Sequence, residues 1–261
     1  MGAPSPVYYA DKAKKAGRMV LEAFAEGAGG RFARFPEVLE IRGVPIFWGV
    51  SNDTRGPFLE VKAGARPWLY VDHAYLGARG TFYRITRSAT QIGLEVPGLA
   101  ADPGRLIATR SKIRDWRKPG DFVLITPPGD PYLHLTGQAI TSAEWVRQVE
   151  RAVRAVTDRP VRIRFKPTAH VRVPAFADEA ARAWCVVTHQ SVTAVEALLA
   201  GVPVFMTTPH AAAAPLASLD LSKIETPRRE GDREAWAAWL AANQWTLEEM
   251  RAGLPWRALM P

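Results

Sequence analysis

The sequence contains one cysteine, Cys185, in 261 residues, so no disulfide can close within the chain. Set in an apolar run, this thiol reads as an inert core residue. No apolar stretch reaches the length of a membrane span, and the first residues lack the charged-then-apolar pattern of a secretory leader. These absences predict a cytoplasmic protein without a membrane partner. The glycine fingerprint of dinucleotide-binding folds is missing, as is the Walker lysine loop, which argues against dehydrogenases and NTPases. No serine stands in a nucleophile elbow. The five histidines (73, 134, 170, 189 and 210) show no metal-ligand spacing, and there is no Asp-x-Asp pair. The expectation is a metal-independent protein with no permanently bound cofactor. There is no internal repeat, and the only low-complexity run is Ala211 to Ala214.

What is present begins with charge. Against 26 Asp plus Glu stand 34 Lys plus Arg, a formal net charge of +8, which favours a polyanionic or phosphorylated partner. Arginine supplies most of the positive charge, and its planar fork suits phosphate. The apolar fraction is ample for one large domain or two small ones.

The stretch 184–209 carries the clearest pattern. Trp184 to Val187 is a short apolar run, the signature of a strand buried on both faces. Thr188, His189, Gln190 and Ser191 form a polar break, with Ser191 suited to cap a helix. Val192, Val195, Leu198 and Leu199 recur at helical spacing, Gly201 stops the helix, and Val202 to Met206 forms the next strand. This is a βαβ unit with a polar turn at the carboxyl end of its first strand, where open α/β sheets bind ligands.

Around it, strands are predicted over Phe122 to Thr126 and Val161 to Phe165, with helices over Ala143 to Thr157 and Ala175 to Ala183. The alternation predicts a doubly wound parallel sheet. Asp232 to Ala242 and Thr246 to Ala252 read as closing helices. Upstream, residues 1–10 read as a loose lead-in and Asp11 to Glu26 as a helix. Val44 to Val50 and Trp68 to Val71 read as strands, with the segment 51–56 as a turn and Pro57 to Ala63 as a short helix. Residues 80–87 read as an exposed strand of β-formers and arginines. The basic stretch Arg105 to Lys118 reads as the junction of two lobes, either a solvated linker or a phosphate-contacting surface. The predicted fold class is therefore α/β with two Rossmann-like lobes: a compact one over 1–118 and a doubly wound one over 119–261.

Three polar groups fall at successive strand ends of the second lobe: the Thr126 turn, Lys166, and Thr188 to Ser191. In a parallel sheet they converge on one rim beneath helix N-termini, where free N–H groups favour a phosphate. Ser191 and Thr193 could donate to its oxygens and Lys166 could add a point charge. Glu196, among apolar helix residues, is either a partly exposed helix carboxylate or the partner of a ribose. His189 is either a turn cap or a ligand contact, and His210, delivered to the same rim by the last strand, joins the possible contacts.

The run Thr188-His189-Gln190-Ser191-Val192-Thr193-Ala194-Val195-Glu196-Ala197-Leu198-Leu199-Ala200-Gly201-Val202-Pro203-Val204 resembles the nucleotide-sugar segment of GT-B glycosyltransferases, and from Ser191 onward it is similar to that of capsule and lipopolysaccharide sugar transferases. Arg164-Phe165-Lys166-Pro167 is similar to their Arg-Pro-His-Pro-like turn but lacks its histidine. The tail, Gln244 to Gly253 with Trp256, resembles glycosyltransferase-like bacteriophage proteins. The likeness covers about 120–253 and implies sugar transfer from a nucleotide sugar, a UDP-sugar first, to an acceptor hydroxyl. It makes Lys166, Thr188, His189, Gln190, Ser191, Thr193, Glu196 and His210 donor contacts, and assigns the acceptor's base to the first lobe. Asp72 is the first candidate, Asp53 the second and His73 the third; a desolvated carboxylate could take the acceptor proton. Asp72 could instead cap a turn and Asp53 make an Asx-turn.

Residues 31–120 carry 15 Lys plus Arg against 8 Asp plus Glu, nearly the whole excess of the chain. Together with the phage-like tail, this predicts double-stranded DNA with hydroxymethylated bases such as hydroxymethylcytosine as acceptor, modified in the host cytoplasm. Arg84, Arg87, Arg110, Lys112, Arg114 and Arg117 would hold its phosphates. The alternatives are a surface-polysaccharide-type transferase and a non-catalytic nucleotide- or DNA-binding phage protein.

Overall fold

A computed structural model describes residues 5–10, 15–33, 43–117, 120–166 and 175–260. In chain order its strands are β1 (Ser5–Tyr9), β2 (Arg31–Phe32), β3 (Gly43–Trp48), β4 (Leu69–His73), β5 (Tyr83–Arg87), β6 (Phe122–Thr126), β7 (Val161–Ile163), β8 (Ala183–Thr188), β9 (Val204–Met206) and β10 (Gln244–Trp245). The helices are α1 (Lys15–Ala28), α2 (Asn52–Ala63), α3 (Pro103–Thr109), α4 (Asp130–Leu135), α5 (Ser142–Arg154), α6 (Phe176–Ala180), α7 (Val192–Leu199), α8 (Arg233–Ala242), α9 (Leu247–Arg251) and α10 (Leu254–Leu259). The chain divides into two compact units, one of residues 1–90, 98–109 and 239–261, the other of 91–97 and 110–238. The α/β class with two sheet-bearing units is as the sequence predicts.

The first unit holds a six-stranded sheet in the order β10-β5-β4-β3-β1-β2. Its β2, β1, β3 and β4 run parallel, while β5 and β10 pair antiparallel, so the sheet is mixed. Three strands of this sheet, β1, β2 and β10, are absent from the sequence reading. The presumed lead-in contains β1, whose Val7, Tyr8 and Tyr9 are buried between β2 and β3. The closing tail contributes β10, which pairs with β5 through Gln244–Arg84 and Trp245–Tyr83. The core of this unit gathers Tyr8, Leu21, Phe24, Ile46, Leu69, Val71, Ile85, Trp245 and Met250.

Helix α2 also begins earlier than Pro57 suggested. Ser51 caps it, its N–H bonded to Thr54 Oγ1 at 2.9 Å, so the presumed turn 51–56 is the helix's first part. The predicted exposed strand is β5, buried except at Arg87. Residues 11–14 of the predicted first helix lie outside the described residues, and its described part is α1.

The second unit holds a four-stranded, wholly parallel sheet, β7-β6-β8-β9, as the alternating pattern predicts. Every residue of β6 and β9 is buried, and five of the six in β8. Helix α5 lays Trp145, Val146, Val149 and Val153 on this sheet, facing Val123, Ile125, Cys185, Val187 and Phe205. Thr141 caps α5 in a reciprocal box with Glu144, and the Thr141 N–H and hydroxyl, both donating to the Glu144 carboxylate, hold it below the ordinary glutamate range. Burial pushes the Cys185 thiol far up, so it is an unreactive core group.

Candidate functional site

Because all four strands of the second unit are parallel, their carboxyl ends share one rim. There Thr188 Oγ1 donates to the Thr126 carbonyl at 2.7 Å, tying β8 to β6, and Thr207 N donates to the Thr188 carbonyl at 3.0 Å. The rim is closed above by the start of α7. Ser191 takes extended dihedrals and its Oγ accepts the Thr193 N–H at 3.2 Å, a conventional N-cap. Thr193 Oγ1 donates to Ser191 Oγ at 2.8 Å and stands 3.2 Å from Thr126 Oγ1. Three hydroxyls thus meet at one point, the electropositive end of α7.

The helix keeps this geometry because it stops cleanly. Gly201 adopts φ +77°, and a Cβ placed there would lie 2.0 Å from the Asp115 carbonyl oxygen. Only glycine fits both the left-handed turn and that approach.

His189 is almost wholly buried beside the rim. Its Nδ1 is 2.8 Å from Thr207 Oγ1, which also accepts the Trp145 indole N–H at 3.2 Å. Burial, aided by the charge of His210, pushes the His189 pKa down to about 4, so the ring is neutral at physiological pH. Gln190 Nε2 donates to the His210 carbonyl, and Gln91 Nε2 donates to the Gln190 carbonyl at 3.1 Å. Gln91 also donates to Tyr132 Oη at 3.2 Å and accepts from Ala212 N at 3.2 Å, which fixes the 188–191 turn against the 208–212 loop. His210 Nδ1 lies 3.2 Å from the Glu95 carboxylate at the exposed side.

Thr188, His189, Gln190, Ser191, Thr193 and His210 are therefore brought together with Thr126 and Thr207. Lys166 is exposed beyond β7, and no acid pairs with it among the described residues. Pro167 lies outside the described residues. Glu196 is on the open side of α7, yet surrounding protein raises its carboxyl above the ordinary range. Arg164 opposes that rise while itself paired with Glu179 at 2.6 Å. Thr207, Trp145, Gln91, Tyr132 and Glu95 were not singled out from sequence as contacts. Gln91 lies about a hundred residues from the turn it braces, with no local pattern to mark it.

In the first unit, Asp53, Asp72 and His73 lie at the carboxyl ends of parallel β3 and β4. Asp53 is in the first turn of α2; the other two end β4. Asp72 Oδ2 accepts from Arg84 Nη2 at 2.7 Å and its Oδ1 from the His73 N–H at 2.7 Å. The His73 ring stands edge-on to Trp48 at 5.3 Å.

The arginines predicted to grip DNA divide. Arg84 is only 3% exposed; it also donates to the His73 carbonyl and lies 4.7 Å from the Tyr75 ring, so it is no phosphate contact. Arg117 is committed too: its N–H binds the Gly201 carbonyl at 2.8 Å and its Nε the Ala200 carbonyl at 3.0 Å, at the electronegative end of α7. Arg114 N donates to the Leu199 carbonyl at 2.8 Å, although its side chain is exposed. Arg87 donates to the Leu259 carbonyl, while Arg110 and Lys112 are exposed. The segment 110–117 is thus a strap along the far end of α7 from Ser191.

No protein-family model matches the chain, and no curated protein matches it. Among solved structures, the chain shares the α/β fold of two-unit glycosyltransferases. One is the beta Kdo 2,4 transferase of KpsC from Thermosulfurimonas dismutans, at TM-score 0.54 and 13% identity over 94% of this chain and 93% of that one. Another is the beta Kdo 2,7 transferase of KpsC from the same organism, at TM-score 0.55 and 13% identity over 97% and 99%. Among the described residues, no helix is long and apolar enough to cross a membrane.

Proposed function

We propose that the protein is a glycosyltransferase that moves a sugar from a nucleotide-sugar donor to an acceptor hydroxyl. The observation that carries this reading is the rim of the second unit, where Ser191, Thr193 and Thr126 hydroxyls meet the N-terminus of α7 within a fold shared with two sugar transferases. That rim suits the donor's phosphate. Neutral His189 lines it as a hydrogen-bonding group, and Gln190, Thr188 and His210 shape it. Glu196 accepts from the ribose hydroxyls, and Lys166 is the candidate cation.

Asp72 is the proposed base. It takes the acceptor hydroxyl's proton as that oxygen bonds to the anomeric carbon. The bond from that carbon to the donor phosphate breaks, and its electron pair leaves with the nucleotide. Arg84 and the His73 N–H hold the Asp72 carboxylate in place, and Asp53 and His73 are the reserve candidates. The division into an acceptor lobe and a donor lobe belongs to the same proposal, with the lobes taken as the two units, so that 239–261 joins the first and 110–117 the second.

The donor is a UDP-sugar or a nucleotide-activated acidic sugar of the Kdo type; the names of the two similar structures favour the second. A glycan acceptor is preferred over duplex DNA, because Arg84 and Arg117 are bound within the protein. The DNA reading keeps one observation in its favour, the net charge of +8.

The test is incubation with UDP-hexoses and nucleotide-activated Kdo, each with a Kdo-terminated oligosaccharide or hydroxymethylcytosine-containing duplex, followed by mass measurement. A sugar added to the oligosaccharide supports the preferred reading. A sugar added to the base restores the DNA reading. Nucleotide binding with no product for any pair points to the non-catalytic alternative.

A further inference from the structure

The segment 217–230 of the second unit forms a basic site. A cavity of about 620 Å³ is lined by Ala217, Ser218, Lys223, Arg228 and Arg229, with Glu230 its one carboxylate. Both arginines are held by backbone. Arg228 Nη1 donates to the Pro215 carbonyl at 3.1 Å, and Arg229 Nη1 to the Arg117 carbonyl at 3.0 Å. Trp184 lies 5.7 Å from the Arg229 guanidinium and is itself pinned by its indole N–H to the Ile224 carbonyl. Among the described residues, Arg229 Nη2 is buried with no hydrogen-bond partner. A buried guanidinium donor without an acceptor is costly.

The internal acids do not neutralise the group. Glu230 is 3.7 Å from Arg228 Nε, and Asp220 stands 3.9 Å from Lys223, both exposed and loose. Three cations against these two carboxylates leave a net positive charge, which favours an anion. Burial lowers the Arg229 guanidinium from its ordinary value, which a bound anion would reverse.

We infer that this cavity is a binding site for a phosphate-class dianion, free or carried on a phosphorylated sugar, separate from the rim at the start of α7. Pre-anchored guanidinium forks lose little freedom on binding and grip tetrahedral oxyanions bidentately.

Calorimetric titration at low salt with inorganic phosphate, glucose 1-phosphate and glucuronate tests it on three proteins: the wild type, Lys223→Gln/Arg228→Gln and Ser191→Ala. The double substitution is at exposed side chains, so folding survives. Saturable phosphate binding weakened about ten-fold or more by the double substitution, and retained in Ser191→Ala, supports the site. Tighter binding of glucose 1-phosphate than of phosphate then identifies a sugar phosphate, and the reverse a free phosphate. No saturable binding, equal affinity in the double variant, loss confined to Ser191→Ala, or glucuronate matching both phosphates overturns it.

Discussion

Arg84 Nη2 donates to Asp72 Oδ2 at 2.7 Å across the β4–β5 pair, where the two residues are direct register partners. The guanidinium is 4% exposed and the carboxylate 28%, so the pair is half-desolvated. Losing either partner leaves the other poorly compensated. Arg84→Met is expected to destabilise the protein by about 3 kcal/mol in urea unfolding, and Asp72→Asn by less, since an amide oxygen still accepts. A double-mutant cycle giving no coupling would contradict the pairing.

Stability should also report on His189. Its folded-state value of about 4 lies below the ordinary 6.5, so the unfolded chain takes up the proton first as pH falls. The stabilisation is complete above about pH 6.5 and is lost on the way down to about 4. By pH 4.5 the loss from this group is about 2–3 kcal/mol relative to pH 7.5. In His189→Gln that part of the acid loss disappears; an unchanged pH profile would refute the burial argument.

Replacing Gly201 by alanine forces a side chain into left-handed backbone and against the Asp115 carbonyl. The expected cost is about 2–4 kcal/mol, read as a lowered melting temperature. A cost under about half a kcal/mol would show that the strap 110–117 yields freely.

The second unit was largely legible in the sequence because its signals are local. Helix α7 follows from apolar spacing between a serine cap and a glycine stop, and its bounds match the prediction. Buried strands β6 and β8 are unbroken apolar runs. The first unit hides its order in long-range pairing. Strand β1 is five residues with a proline, too short for periodicity to speak, and β10 is two residues within a helical tail. Arginine in a strand of β-formers reads as solvent-facing. That Arg84 turns inward depends on Asp72, and their register is set by a connection whose geometry no residue pattern declares. The candidate rim was readable as a cluster of strand ends; its bracing by Gln91 and Trp145 was not.

The cap and the proposed donor seat share one side chain. Ser191→Ala is expected to cost about 1 kcal/mol of stability and to weaken nucleotide binding by about ten-fold, measured by calorimetry. Loss of stability with unaltered nucleotide affinity would separate the cap from any ligand role.

The most direct measurement is the mass-resolved amount of sugar transferred from each nucleotide sugar to acceptor, with the wild type beside Asp72→Asn. The expected result is transfer from one donor by the wild type and a fall of about a hundred-fold or more in Asp72→Asn, with donor binding retained. Transfer at equal rates by both proteins, or by neither with any donor, would contradict the proposed enzyme.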